Sequence, residues 1–317
     1  MAHEIESLFS VRETPWHGLG HIVKDAPDLD SVLRLAGLDW NVSLQPTFLS
    51  DGTATTQKAI IRDTDKSILG YVGKKYRPLQ NTEALNFFET FSKNGLVDFE
   101  TAGSLQNGKR IWIMAALKSP EMEIVKGDVV KKYLLLSNGH DGIMGIRVGF
   151  TPVRVVCANT LAGAHNNAES KLISVFHSQR SLDNLELIKD SINIANASFE
   201  ATAEQYRAMA KTAVRKEHLA KYVDIVFYNN KQAETDREKL ARENLTENIT
   251  RLFEYGYGNQ MPGVSGTVWA LYNGVTQYLS YEAGRSQDTR LNNLWFGTAQ
   301  TLNQRAFDTA MKITVAA

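Results

Sequence analysis

The sequence has one cysteine, Cys157, among 317 residues. A lone thiol forms no intramolecular disulfide and cannot build a cysteine zinc site or an iron–sulfur cluster, which need several thiolates. One unpaired cysteine fits a reducing compartment, so a cytoplasmic location is expected. Long apolar runs are missing, so no membrane contact is expected. The N-terminal stretch MAHEIESLFS also lacks the basic-then-apolar order of a signal peptide. Neither sign of charge is in excess, with 35 Lys and Arg against 35 Asp and Glu. There is no P-loop, no GxGxxG after a strand and no GxSxG elbow. The common nucleotide-driven and hydrolase chemistries therefore lack support, and no cofactor is expected.

What charge there is lies unevenly. Residues 1–57 hold 3 basic and 8 acidic side chains, residues 58–180 hold 17 and 11, and residues 181–317 hold 15 and 16. A polyanion responds to such local distribution rather than to the total. The middle third is the basic part, although a difference of this size also fits a plain solvated face.

The texture changes once along the chain. From about 39 to 178 it is mostly strand: TATTQKAIIRD and SILGYVGKKYRPL have β character, with a helix over 80–94. Asn107-Gly108, between two apolar runs, signals a hairpin, and Asn138-Gly139 repeats the design. From 181 onward helices are expected over 181–213, 215–229, 232–257, 267–284 and 288–313, with a glycine-rich break at YGYGNQMPGVSG. The fold class is thus α+β. Residues 1–180 form a mainly antiparallel sheet with a few helices. Residues 181–317 form a helical part, packed on the first or used for oligomerisation.

The densest chemistry is NGHDGIMGIRVGFTPVRVVCANTLAGA, residues 138–164. His140 beside Asp141 suits acid–base work, since a carboxylate can orient an imidazole and raise its basicity. A hydrolytic enzyme centred on His140 and Asp141 would need a third convergent polar group, such as Asn159 or His177. The blander reading makes Asp141 a turn-stabilising residue between Gly139 and Gly142. It makes the rest a buried strand, a turn at Pro152 and a second strand or helix start. Cys157 sits among apolar neighbours, as an inert buried thiol would. His17 and His21 are four apart but in a glycine-rich loop, so they do not share a helix face. No metal site is expected. The aromatic residues Trp269, Tyr272, Tyr278, Tyr281, Trp295 and Phe296 recur near helical spacing and read as core or subunit contacts.

A second pattern interleaves basic residues with aromatics. Lys74, Lys75 and Arg77 surround Tyr76, Lys109 and Arg110 precede Trp112, and Arg147 and Arg154 lie near Phe150. Cations that track phosphates beside rings that stack on bases suit a single strand. Alternation of Lys and Tyr along a strand, and lysines that protect sheet edges, account for the same residues without any ligand.

The stretches ETPWHGLG, YRPLQNTEALNFFE, ETAGSLQNGKRIW, LLLSNGHDGIMGIRVGFTPVRVVCANTL, GTVWALYNGVTQYLSYE and RLNNLWFG span nearly the whole chain. On these the chain resembles the phage/plasmid-like protein family known as domain of unknown function 932. That pattern carries Ser-His-Asp where this chain has Gly139-His140-Asp141, which removes a hydroxyl and weakens serine chemistry. The resemblance implies cargo of a mobile element and, by association alone, DNA metabolism. The leading expectation is an oligomeric, non-enzymatic protein that binds single-stranded DNA and extends to annealing it. Lys74, Lys75, Arg77, Lys109, Arg110, Arg147 and Arg154 would sit on phosphates, and Tyr76 and Trp112 would stack on bases. A counter-defence protein that binds a host protein is the third reading, and its sign would be a large exposed apolar patch.

Overall fold

A computed structural model of the chain describes residues 5–11, 21–118, 121–154, 159–160, 173–177, 201–214, 216–284, 293–294 and 297–317. Its architecture is α+β: strands dominate the first half and helices the second. The chain divides into two compact units. The first comprises Met1–Ser119, Tyr133–Phe150 and Lys171–Ile194, and the second Pro120–Lys132, Thr151–Ser170 and Ala195–Ala317. This division interleaves segments, whereas the sequence texture suggested a single boundary near residue 180.

The first unit opens with β1 (Ile5–Val11), β2 (His21–Val23) and α1 (Leu29–Ala36). The Asp28 side chain accepts from the Ser31 N–H to start α1, and Gly37 at φ +64° ends it in the left-handed region. A three-stranded antiparallel sheet follows, built from β3 (Val42–Phe48), β4 (Ala54–Arg62) and β5 (Ile68–Val72). Two short helices, α2 (Asn81–Asn86) and α3 (Glu89–Lys93), occupy the expected 80–94 helix. A capping box of Gln80 and Glu83 starts the first of them.

The main sheet then forms from β6 (Val97–Leu105), β7 (Arg110–Leu117), β9 (Asp128–Gly139) and β10 (Ile146–Arg154). Its order in this unit is β10-β9-β7-β6-β1-β2, with β12 (Ile173–Val175) paired to β10. The β6–β7, β7–β9 and β1–β6 pairs are antiparallel, and β1–β2 is parallel. The core lies between these elements. Phe9, Val32, Leu38, Phe88, Ile113 and Leu136 are all buried there.

Of the two Asn-Gly hairpin signals, the first is correct. Gln106, Asn107 and Gly108 all have positive φ, a conformation Asn and Gly tolerate best, and Leu105 pairs with Arg110 across the turn. The second is corrected. Asn138 and Gly139 are the last residues of β9, still paired with Ile111 and Arg110, and the chain turns over residues 140–145. Asn138 stays in the strand because its amide is buried and donates to the Leu79 carbonyl at 3.1 Å. The turn expected at Pro152 is corrected too. Pro152 lies inside β10, between the stretches paired with β12 and with β11 (Asn159–Thr160), where its missing N–H breaks neither pairing.

The second unit holds the start of β9, paired antiparallel with β8 (Met122–Val125), the end of β10 with β11, and the helices. These are α4 (helical over 201–211), α5 (Lys216–Val223), α6 (Asp236–Tyr255), α7 (Val268–Gln277) and α8 (Thr298–Ala316). Two π-helical turns, Asp224–Tyr228 and Tyr278–Glu282, continue α5 and α7. Trp269 and Tyr272 are buried with Tyr206 and Phe307 in an aromatic cluster, as core residues should be. The Trp269 indole N–H donates to Asp128 Oδ2 at 2.8 Å. Trp295 and Phe296 lie outside the described residues, as does the 181–200 part of the first expected C-terminal helix.

Candidate functional site

Within the first unit, segments far apart in sequence meet at one end of the main sheet. The loop after β5 arrives through Tyr76, whose hydroxyl donates to the Gly139 carbonyl at 3.2 Å. The β6–β7 turn arrives through Lys109, whose carbonyl accepts from the His140 N–H at 2.7 Å. The chain after β12 arrives through His177, whose carbonyl accepts from the Arg77 N–H at 3.1 Å and whose ring stacks on Tyr76 at 4.7 Å. The 140–145 turn closes the group. Gly70 of β5 lies so close to it that a Cβ there would stand 2.3 Å from the Asp141 carbonyl oxygen.

His140 is the buried pivot of this meeting, with no solvent exposure. Its Nε2 lies 3.0 Å from Asn81 Oδ1 and 3.3 Å from Asn138 Nδ2. The tautomer follows from the partners. Asn81 Nδ2 donates to the Leu38 and Trp40 carbonyls, which fixes its Oδ1 as an acceptor. Nε2 must therefore carry the proton and donate to Asn81, and Nδ1 is the bare nitrogen. Asn138 donates to Leu79 instead. Trp40 packs against the imidazole with ring centres 5.2 Å apart. Burial, then the nearby His177, push the His140 pKa down to about 3, against a smaller opposing pull from Asp141. His140 is neutral, enclosed and tied into the fold.

Asp141 is 9 % exposed. Its Oδ1 accepts from the Ile143 and Met144 N–H groups at 2.8 Å each, and its Oδ2 takes Arg110 Nε at 3.2 Å. It is the turn-stabilising carboxylate of the blander reading. His177 is the third polar group to converge here, and burial pushes its imidazole pKa down. Neither His140 Nδ1 nor Asn138 Oδ1 has a hydrogen-bond partner among the described residues. The side chain of Asn159 lies outside the described residues. Among the described residues no three His, Cys, Asp or Glu side chains form a group able to hold a metal ion.

Around this pivot stand the cations. Lys74, Lys75, Arg77 and Lys109 are exposed, and among the described residues none of them enters an ion pair. Arg110 and Arg147 are half-buried, and burial together with the Arg110 charge lowers the Arg147 pKa. Arg154 is in β10 with its side chain outside the described residues. On the inner side of the β6–β7 turn, Arg62 is neutralised. It reaches Glu6 at 2.6 Å and Asp65 with two nitrogens, and its guanidinium lies 5.4 Å from the Trp40 ring centre.

The two rings named from sequence are placed differently. Tyr76 is half-buried with one face on His177. Trp112 is 1 % exposed, which corrects its expected stacking role: both faces of β7 are covered, so alternation leaves it no wet side. Exposed apolar side chains do occur nearby, at Ile143 and Phe176. No local signal pointed to them. Asn81 was missed for a related reason: its partners Leu38, Trp40 and His140 are 43, 41 and 59 residues away.

The model of one protein family, described as a domain of unknown function (DUF932), matches residues 68–295, more than two thirds of the chain. The chain belongs to the DUF932 family. The match begins at β5 and so takes in Tyr76, Asn81, His140 and His177, the residues that build the pivot. No curated protein and no solved structure matches the chain. DUF932 membership carries no activity with it, so a functional reading rests on the site itself. Among the described residues no helix is long and apolar enough to cross a membrane.

Proposed function

We propose that this DUF932 protein binds single-stranded nucleic acid at the cationic end of its main sheet. One observation carries the reading. Separate segments bring Lys74, Lys75, Arg77, Lys109, Arg110 and Arg147 around a turn whose own carboxylate, Asp141, is already engaged by Arg110 and two backbone amides. The chain as a whole has a formal net charge of +0, so a local excess of cations is the arrangement that a phosphate backbone would feel. The hydrolytic reading gains nothing from the same geometry. A histidine with no exposure and a pKa of about 3 is a poor proton acceptor near neutrality and has no route to a substrate in this conformation. Annealing of complementary strands, assembly of several copies and a role in a phage or plasmid belong to the same proposal.

The test is fluorescence anisotropy with a labelled single strand at several salt concentrations, with duplex of equal length beside it. Micromolar or tighter binding that weakens steeply with salt is expected. The triple variant Lys74→Ala, Lys75→Ala, Lys109→Ala should flatten the logarithmic salt slope by about 2, at roughly 0.7 for each single-strand phosphate that is no longer neutralised. All three side chains are exposed, so the fold should survive. Absence of binding at low salt, or an unchanged slope in the folded variant, would overturn the reading.

A further inference from the structure

Single-strand preference requires a free ring, and Trp112 and half-buried Tyr76 do not supply one. Phe176 does. It is 84 % exposed, one of the most exposed large apolar side chains described. It directly precedes His177, and His177 is joined to Arg77 by a backbone hydrogen bond and to Tyr76 by ring stacking. Phe176 is therefore one residue from the backbone bond to Arg77, whose exposed side chain enters no ion pair among the described residues. The 140–145 turn adds Ile143, 86 % exposed. A bare phenyl ring in water is unfavourable, and covering it with a flat partner lowers the free energy. Exposed apolar surface beside unpaired cations matches a ligand that offers a flat apolar face and a negative charge within one repeat.

We infer that Phe176 is the platform on which one base of a single strand stacks while Arg77 takes an adjoining phosphate, and that this pair makes the site prefer single strands to duplex. The inference rests on the nucleic-acid reading above and names its selectivity residue. In a duplex both faces of each base are covered by neighbours, so the ring has nothing to receive. In a single strand every base has a face to give. The arginine acts on phosphates in either form.

The test compares wild type, Phe176→Ala, Phe176→Trp and Arg77→Ala by anisotropy on a strand of about 20 nucleotides and on the matching duplex, long enough to cover one such site. Phe176→Ala should weaken single-strand binding about 5- to 150-fold, the loss of one base stack, with duplex affinity and salt slope unchanged. Phe176→Trp should keep the preference. It should also add a tryptophan emission that the single strand quenches and the duplex does not. Arg77→Ala should flatten the salt slope with both ligands. Equal loss on both ligands, or no loss in Phe176→Ala, overturns the role of Phe176. So does an unchanged strand affinity combined with an altered assembly mass, which would make the ring a contact between copies. The two proposals fail separately. A wild type that binds neither ligand sinks the nucleic-acid reading, whereas a wild type that binds with a steep salt slope alongside an unaffected Phe176→Ala sinks only the stacking assignment.

Discussion

At the scale of the residue, His140 explains more about this protein than any cation does. It looks catalytic in the sequence because it sits beside Asp141, yet its contacts are those of a structural hinge pin. Asn81 serves the His140 Nε2–H and the carbonyls of Leu38 and Trp40. Asn81→Leu keeps the branching at Cγ but adds bulk and strands all three groups, so it should cost about 2–4 kcal/mol, read as a lowered urea midpoint. A loss under about 1 kcal/mol would mean that water replaces the amide. Both His140 and His177 are also held neutral by burial. In the unfolded chain each takes a proton near pH 6.5, but in the fold His140 does so only at about 3. Below about pH 6.5 the unfolded state thus binds more protons, and stability falls as pH falls, by up to about 1.4 kcal/mol per pH unit for each histidine. Urea midpoints between about pH 7 and 5, above the carboxylate range, read the histidines, and a His177 variant separates out its share. They should decline in wild type and decline less in His177→Gln. A flat profile would contradict the neutral buried pair.

At the scale of the element, close approach between β5 and the 140–145 turn is the feature that builds the site. Gly70 permits it, because a Cβ would lie 2.3 Å from the Asp141 carbonyl oxygen and 2.5 Å from its carbon, both backbone atoms with little freedom to move. Gly70→Ala should destabilise the protein by about 1–3 kcal/mol. Gly73→Ala, three residues on with nothing within 4 Å of its added carbon, should stay within about 0.5 kcal/mol. Equal thermal midpoints for the two variants would show that the turn shifts freely. The same element separates what the sequence could tell from what it could not. Asn107-Gly108 was legible because a hairpin of three consecutive positive φ angles leaves its mark on local composition. Asn138-Gly139 carries the same mark, but a long-range bond to the Leu79 carbonyl holds it in β9. Trp112 was misread because strand alternation predicts one wet face, and here Gly103, its cross-strand partner, leaves room for the ring to pack inward. Lys74, Lys75, Arg77 and Lys109 are exposed, as lysines and arginines mostly are.

At the scale of the whole molecule, texture and compactness divide the chain differently. The change from strand to helix near residue 180 is visible in composition, but the second unit also draws in Pro120–Lys132 and Thr151–Ser170. The reason lies in particular bonds. Trp269 is fully buried and its indole N–H has Asp128 as acceptor, while Arg207 Nε donates to the Glu123 carbonyl at 3.1 Å. A fragment of residues 181–317 would keep Trp269 and Arg207 and lose both acceptors, along with the β8–β9 hairpin that supplies them. A buried indole N–H without a partner costs about 1–3 kcal/mol, and the lost hairpin also uncovers the surface around Gly263 against which Val125 lies. The fragment should therefore unfold at least several degrees below the intact chain, and addition of fragment 1–180 should raise its midpoint again. Thermal unfolding followed by near-ultraviolet circular dichroism reports the packing of the aromatic side chains, Trp269 among them. An isolated 181–317 fragment that melts cooperatively at the temperature of the intact protein would mean that the helices form a self-sufficient domain, and that the Asp128 contact is decoration on it.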